Sequence, residues 1–274
     1  MTDPNLKAMQ LKAEQLLDAI KALTPKYLPP LSDEPLVRFE WMVAAGRIFM
    51  PNYRFEWPQM DWWNDSWFSS YLKRVGEIDG FNMDRRWNLW QLMRLIAAVD
   101  GDTAECGCYR GASSFLMCKR NEQDTTRTRH HHMFDSFEGL SEPLPQDGTH
   151  WHKNALTATE QELQITLAGF EDRYSVYKGW IPDRFPEVAD RKFAFVHIDV
   201  DIYEPTRDSI AFFYDRLNPG GILLCDDYAF TSCPGATLAI DEFLADKPEK
   251  MIWLASGSGY FIKGTAVPTP VSLR

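Results

Sequence analysis

Phe193-Ala194-Phe195-Val196-His197-Ile198-Asp199-Val200-Asp201 is an apolar run that ends on acids, and Gly221-Ile222-Leu223-Leu224-Cys225-Asp226-Asp227-Tyr228 repeats the pattern. Continuous apolar runs of this length are strands buried on both faces, the habit of parallel sheets covered by helices. Their acids then fall at carboxyl ends, where open α/β sheets bind ligands. If the two strands are neighbours, Asp199, Asp226 and Asp227 converge. Carboxylates a few ångströms apart repel one another unless a divalent cation such as Mg²⁺ lies between them. The plainer alternative is that these acids cap the helices that follow each strand.

Working outward, strand and helix alternate from Asp100 on. Thr103 to Cys106 reads as strand, Ser113 to Arg120 as helix, His132 to Phe134 as strand, Thr159 to Leu167 as helix and Tyr174 to Tyr177 as strand. Pro205 to Leu217 is the helix between the two acid-ended strands. Such alternation predicts right-handed crossovers and a doubly wound, mostly parallel α/β sheet. Met251 to Leu254 and Tyr260 to Lys263, joined through Gly257-Ser258-Gly259, read instead as a hairpin that adds an antiparallel edge. Before the sheet, residues 1–30 hold an amphipathic helical arm, with Leu6, Met9, Ala13, Leu16, Leu17, Ile20 and Leu23 at helical spacing, ended by Pro25, Pro29 and Pro30. Residues 31–95 carry Trp41, Trp57, Trp62, Trp63, Trp67, Trp87 and Trp90. That density suits either a helical cap packed by its rings or a lid whose flat rings meet a ligand. The expected organisation is therefore arm (1–30), Trp-rich cap (31–95) and α/β domain (96–274).

Composition narrows the partners. The chain has 274 residues, 45% of them hydrophobic, and 39 acidic against 29 basic residues give a net charge of -10. That balance argues against nucleic acid, which needs a basic footprint. No apolar stretch reaches the length of a membrane span, no leader is evident, and five unpaired-looking cysteines point to a reducing, cytoplasmic setting. The apolar stripe of the arm favours a homo-oligomer.

Two loops say more about the ligand. Glu105-Cys106-Gly107-Cys108-Tyr109-Arg110-Gly111-Ala112-Ser113 joins the first strand to a helix, and its glycines permit close backbone approach. The spacing is not G-x-G-x-x-G, so a dinucleotide fits poorly. An acid at Glu105 suits an ammonium group better than a pyrophosphate. The next strand ends Phe134-Asp135-Ser136-Phe137-Glu138-Gly139, placing Asp135, or Glu138 as second choice, where a ribose diol is held in doubly wound sites, unless Asp135 merely closes an Asx turn. A ligand with an amino-acid head and a ribose is S-adenosylmethionine.

At this point the motifs resemble a known family. Glu105-x-Gly107-x-x-x-Gly111-x-Ser113 looks like the cofactor loop of metal-dependent O-methyltransferases of the catechol type. Phe134-Asp135-Ser136-Phe137-Glu138-Gly139-Leu140, Val196-His197-Ile198-Asp199-Val200-Asp201-Ile202-Tyr203 and Asp226-Asp227-Tyr228 resemble more specifically the macrocin O-methyltransferases, which methylate sugar hydroxyls of macrolides. The resemblance runs from about Asn82 to Lys263. It implies a Rossmann-like methyltransferase sheet, S-adenosylmethionine as donor, and Mg²⁺ on Asp199, Asp226 and Asp227. It also assigns Glu105, Cys106, Gly107, Cys108, Tyr109, Gly111 and Ser113 to the cofactor, together with Asp135, Ser136, Phe137, Glu138 and Gly139, and puts Trp180 near the adenine.

The expected acceptor is a small hydroxylated molecule, a glycoside on the family pattern. Asp199 is assigned both metal binding and general-base catalysis, with Asp201, of the same alternation parity, as the other candidate base. The catechol type has a lysine three positions after its first metal aspartate; this chain has Ile202, so a lysine base is not expected. His130-His131-His132 looks like a metal tract, yet adjacent strand side chains point to opposite faces and cannot chelate together. His197 is expected to be a satisfied core histidine, Cys225 and Cys233 small buried groups, and Tyr228 either a packing or an acceptor residue. Three other functions compete: a metal-dependent phosphohydrolase, a catalytically silent S-adenosylmethionine-binding protein, and a methyltransferase for a non-sugar hydroxyl.

Overall fold

A computed structural model describes residues 61–78 and 82–268, together with Val37 and Gly46. The expected arm, Trp41 and Trp57 lie outside the described residues, as does the side chain of Trp63. The chain divides into two compact units, Met1–Phe81 and Asn82–Arg274.

In the first unit, α1 (Asp61–Asn64) leads to α2 (Ser66–Arg74). Asp65 starts α2 by accepting a 2.6 Å hydrogen bond from Phe68 N, satisfying one of the free donors of the first turn. Phe68, Tyr71 and Leu72, at helical spacing, form its buried face. Trp62 meets the Phe68 ring edge-on and Trp67 stacks on Tyr71, so both rings pack within this unit.

The second unit opens with α3 (Met83–Leu92). This unit thus takes in α3, which packs on a helix of the α/β sheet. Trp90 of α3 lies flat under the Arg120 guanidinium, 3.6 Å from its ring centroid. The sheet follows as β1 (Asp102–Cys106), β2 (His131–Asp135), β3 (Tyr174–Lys178), β4 (Phe193–Ile198), β5 (Leu217–Cys225), β6 (Ile252–Trp253) and β7 (Gly259–Ile262). Between these lie α4 (Ala112–Gln123), α5 (Glu160–Thr166), α6 (Tyr203–Phe213) and α7 (Pro234–Leu244). Strand order is β3-β2-β1-β4-β5-β7-β6, parallel from β3 to β5, with β7 antiparallel to β5 and β6 closing a hairpin on β7. This is the expected doubly wound sheet with an antiparallel end.

Right-handed crossovers place α4 and α6 on opposite faces, because β1 to β2 and β4 to β5 run in opposite directions across the sheet. The order reverses between β1 and β4, which opens a crevice at their carboxyl ends. On one face Ala104, Cys106, Phe134, Val196, Ile198, Leu223 and Cys225 pack with Ile210, Phe213 and Ile240 of α6 and α7. The opposite face of the same strands carries Thr103, Glu105, His131 and His197, all buried. Alternation therefore sorts one strand set into an apolar and a polar layer.

Two boundaries differ from the sequence reading. Helix α6 stops at Phe213, because Leu217 already pairs with Phe193. The turn-like Asn218-Pro219-Gly220-Gly221 lies inside β5, taken up as a bulge before Ile222 pairs with Phe195. The histidine tract splits as expected: His131 Nδ1 lies 2.9 Å from Thr103 Oγ1 on the polar face, whereas His132 faces Asp102 and Tyr177. Among the described residues, no helix is long and apolar enough to cross a membrane.

Candidate active site

The strand ends are locked together by a staircase of backbone bonds. Gly107 N donates to Phe134 O, Asp199 N to Cys106 O, and Asp226 N to Ile198 O, at 2.8 to 2.9 Å. Gly107 has φ +79°, and a Cβ there would sit 1.8 Å from the Asp199 carbonyl oxygen. Only glycine allows the loop after β1 to lie this close to the end of β4. Tyr109, Phe137, Asp201 and Ala229, one beyond each of β1, β2, β4 and β5, also have positive φ. Left-handed residues other than glycine cost energy and collect where a site demands a particular loop shape.

Four aspartates meet at the ends of β4 and β5, and the structure sorts them into two groups. Ligand atoms of His197, Asp199 and Asp226 lie within 4.8 Å of one another, as do those of Asp201, Asp227 and Cys233. The expected trio of Asp199, Asp226 and Asp227 is thus divided. The reason is local: Asp227 Oδ2 accepts from Val200 N at 3.0 Å and Asp201 N at 2.7 Å, which turns it toward the left-handed loop after β4. The Cys233 thiol donates toward Asp201 Oδ1 and Asp227 Oδ1 at 3.8 Å, and receives Trp151 Nε1 at 3.3 Å. Burial pushes the Cys233 thiol up, away from the thiolate form. Asp226 and Asp227 are buried, whereas the Asp199 side chain is 24% exposed and offers the open face of the cluster. Ile202 is buried where a lysine base would stand, and the Tyr228 hydroxyl donates to Asp241 at 2.6 Å, a packing role.

Charge is unevenly held here. Burial, then Asp226 and Asp227, push the Asp199 carboxyl well above the usual range, and burial, then Asp227 and Asp199, do the same to Asp201. Burial and the neighbouring Asp226 push Asp227 up to about 6. Asp226 goes the other way: burial raises it, but Arg85 and His197 outweigh that and hold it well below the carboxylate range. Arg85 Nη1 pairs with Asp226 Oδ2 and its Nη2 donates to Asn82 Oδ1, while Arg86 Nη1 lies 3.9 Å from Asp199 Oδ2. The sequence reading missed both arginines. They sit in the first turn of α3, and nothing in their local pattern tells which sheet end they face.

His197 also departs from expectation. Its Nδ1 lies 2.8 Å from Glu105 Oε1, but its buried Nε2 has no hydrogen-bond partner and stands 3.7 Å from Asp226 Oδ1. Burial lowers its basicity, yet Asp226 and Glu105 raise the ring to about 10. Glu105 is fully buried, its second oxygen accepting from Ser114 Oγ of α4. Its carboxylate is held between Ser114 and His197.

The other half of the site lies at β1 and β2. Asp135 Oδ2 accepts from Cys108 N at 2.9 Å and Tyr109 N at 2.8 Å, and Oδ1 accepts from Phe137 N at 2.7 Å. Asp135 thus closes an Asx turn and also shapes the loop after β1. Ser136 Oγ holds Glu138 N at 3.0 Å and Gly139 O at 3.2 Å, which folds the following turn. Gly111 has φ +84° and precedes α4, whose first turn contains buried Ser113. Cys106 and Cys108 are buried, and the rings of Tyr109 and Trp180, after β1 and β3, are exposed.

The donor chemistry suits a hard divalent cation. Burial and mutual repulsion raise the carboxyl groups of Asp199, Asp201 and Asp227, the condition a bound cation relieves.

Comparison with known proteins agrees with this geometry. The sequence model of the macrocin-O-methyltransferase (TylF) family matches residues 83–254. The 8-demethyl-8-(2,3-dimethoxy-alpha-L-rhamnosyl)-tetracenomycin-C 4'-O-methyltransferase of Streptomyces olivaceus is 30% identical over 154 residues, 52% of this chain and 58% of that protein. The demethyldecarbamoylnovobiocin O-methyltransferase of Streptomyces niveus is 28% identical over 158 residues, 54% of this chain and 59% of that protein. The chain thus spans under two thirds of the length of these relatives. In fold it is similar to the calicheamicin methyltransferase CalS11, with a TM-score of 0.63 and 18% identity over 86% of this chain and 95% of that one.

Proposed function

The chain belongs to the macrocin O-methyltransferase family, and from that premise we propose that it is a Mg²⁺-dependent O-methyltransferase. It moves the methyl group of S-adenosylmethionine to a sugar hydroxyl of a glycosylated small molecule. The observation that carries the reading is the contact of Gly107 with the Asp199 carbonyl, which sets the donor loop directly against the one aspartate of the cluster with an open face. Rhamnose methylation by the Streptomyces olivaceus relative supports a sugar acceptor.

Methyl transfer is an in-line displacement at an already activated carbon, so positioning is the main task. On the donor side, Asp135 fixes the loop that follows β1 and keeps one lone pair, on Oδ1, for a ribose hydroxyl, while Tyr109 and Trp180 present flat faces to an adenine. On the acceptor side, Asp199, the aspartate with an open face, takes the hydroxyl proton as general base. Asp199 and Asp226 would hold the cation with Asp227 beside them, and the bound ion would act as Lewis acid and template for the acceptor oxygen. The test is incubation with isotope-labelled S-adenosylmethionine, Mg²⁺ and a panel of rhamnosylated and other glycosylated natural products, read by mass spectrometry. Label on a sugar oxygen supports the reading; label confined to a non-sugar hydroxyl or to none, with donor bound, contradicts the acceptor class.

A further inference from the structure

We propose that His197 is a positioning residue that links the donor half of the site to the acidic cluster, so that donor and divalent cation bind cooperatively. This rests on the methyltransferase reading above. Glu105 of β1 and His197 of β4 are register partners in neighbouring strands, which brings His197 Nδ1 to 2.8 Å from Glu105 Oε1. The other oxygen of Glu105 accepts from Ser114 in the first turn of α4. His197 Nε2 points the opposite way, at Asp226 Oδ1 3.7 Å off, with no hydrogen-bond partner of its own. Asp226 Oδ2 is held in turn by Arg85.

One ring therefore spans the distance from the helix behind the donor loop to a carboxylate of the acidic cluster. Ser114, Glu105, His197 and Asp226 are all buried, and a buried polar chain is kept at a cost unless each member is satisfied. The unfinished contact is the one to Asp226: 3.7 Å is beyond hydrogen-bond length by a small shift of ring or carboxylate. A cation that draws on Asp226 and a donor that settles on the first turn of α4 act on the same ring from its two sides. Each then favours the arrangement the other needs, and the effect is reciprocal by linkage.

Titration calorimetry of S-adenosylmethionine with and without Mg²⁺ tests this. Mg²⁺ is expected to tighten donor binding to the wild-type protein by about fivefold or more, the lower end of usual coupling between sites. His197→Gln, which can keep only one of the two contacts, is expected to bind the donor but to lose the Mg²⁺ effect, and Glu105→Gln, which weakens the link from its other end, to lose it as well. An undiminished Mg²⁺ effect in folded His197→Gln overturns the proposal. So does the absence of any Mg²⁺ effect in the wild-type protein, a result that needs no variant to fold. If the wild-type protein binds no donor in either buffer, the methyltransferase reading falls and the link falls with it.

Discussion

At the scale of single residues, position rather than type separates the four aspartates. Asp199 is partly exposed beside the loop after β1, while Asp226 and Asp227 are enclosed and Asp201 stands on a left-handed turn with φ 62°. Asp199→Asn is expected to lower turnover by about 10²- to 10⁴-fold, the usual worth of a general base, while leaving donor affinity measured without Mg²⁺ intact. Steady-state kinetics beside calorimetry checks this, and full activity in Mg²⁺ buffer would remove Asp199 from the chemistry. Gly107→Ala should be more damaging than its size suggests. Its Cβ would meet the Asp199 carbonyl at 1.8 Å in a left-handed backbone, which alone costs about 1–2 kcal/mol. A lowered melting temperature together with lost donor binding is the expected result.

At the scale of elements, the apolar face of the sheet depends on rings from several elements meeting at one place. Phe213 of α6 has ring contacts with Phe134, Phe185 and Phe193, at centroid distances of 5.1 to 6.0 Å. Phe213→Ala is expected to cost about 3–5 kcal/mol in denaturant unfolding, the range for a deleted buried ring. The joint of β1 and β2 makes a pH-dependent contribution. Burial raises the Asp102 carboxyl, but hydrogen bonds from His132 and His130 N, and the charges of His132 and Arg191, more than offset this and hold it below 3.8. A depressed acid stabilises the fold fully above its unfolded value, about pH 4, and that stability is lost as pH falls through its folded value. Asp102→Asn should therefore be less stable than wild type at pH 7, with the difference shrinking below pH 4 in acid titrations followed by circular dichroism. A constant difference across that range would contradict the sign.

At the scale of the molecule, one doubly wound sheet joins the loop after β1 to an acidic cluster. Most of that was legible in the sequence. Continuous apolar runs gave β4 and β5 their buried, parallel character, and acids at the run ends located the crevice, because both signals are local. The polar layer of Glu105, His131 and His197 was not legible, since it depends on cross-strand register that a one-dimensional pattern does not carry. Arg85 and Arg86 escaped for the same reason: they are distant from Asp226 and Asp199 in the chain and are brought to them only when α3 packs on α4. The grouping of Asp227 with Asp201 follows from backbone N–H groups of a left-handed turn, which residue identity does not announce. The central claim is that these parts form a methyl-donor site. Equilibrium binding of S-adenosylmethionine to the wild-type protein by titration calorimetry tests it most directly: saturable binding of one donor per chain is the predicted result, and the absence of binding with and without Mg²⁺ would contradict it.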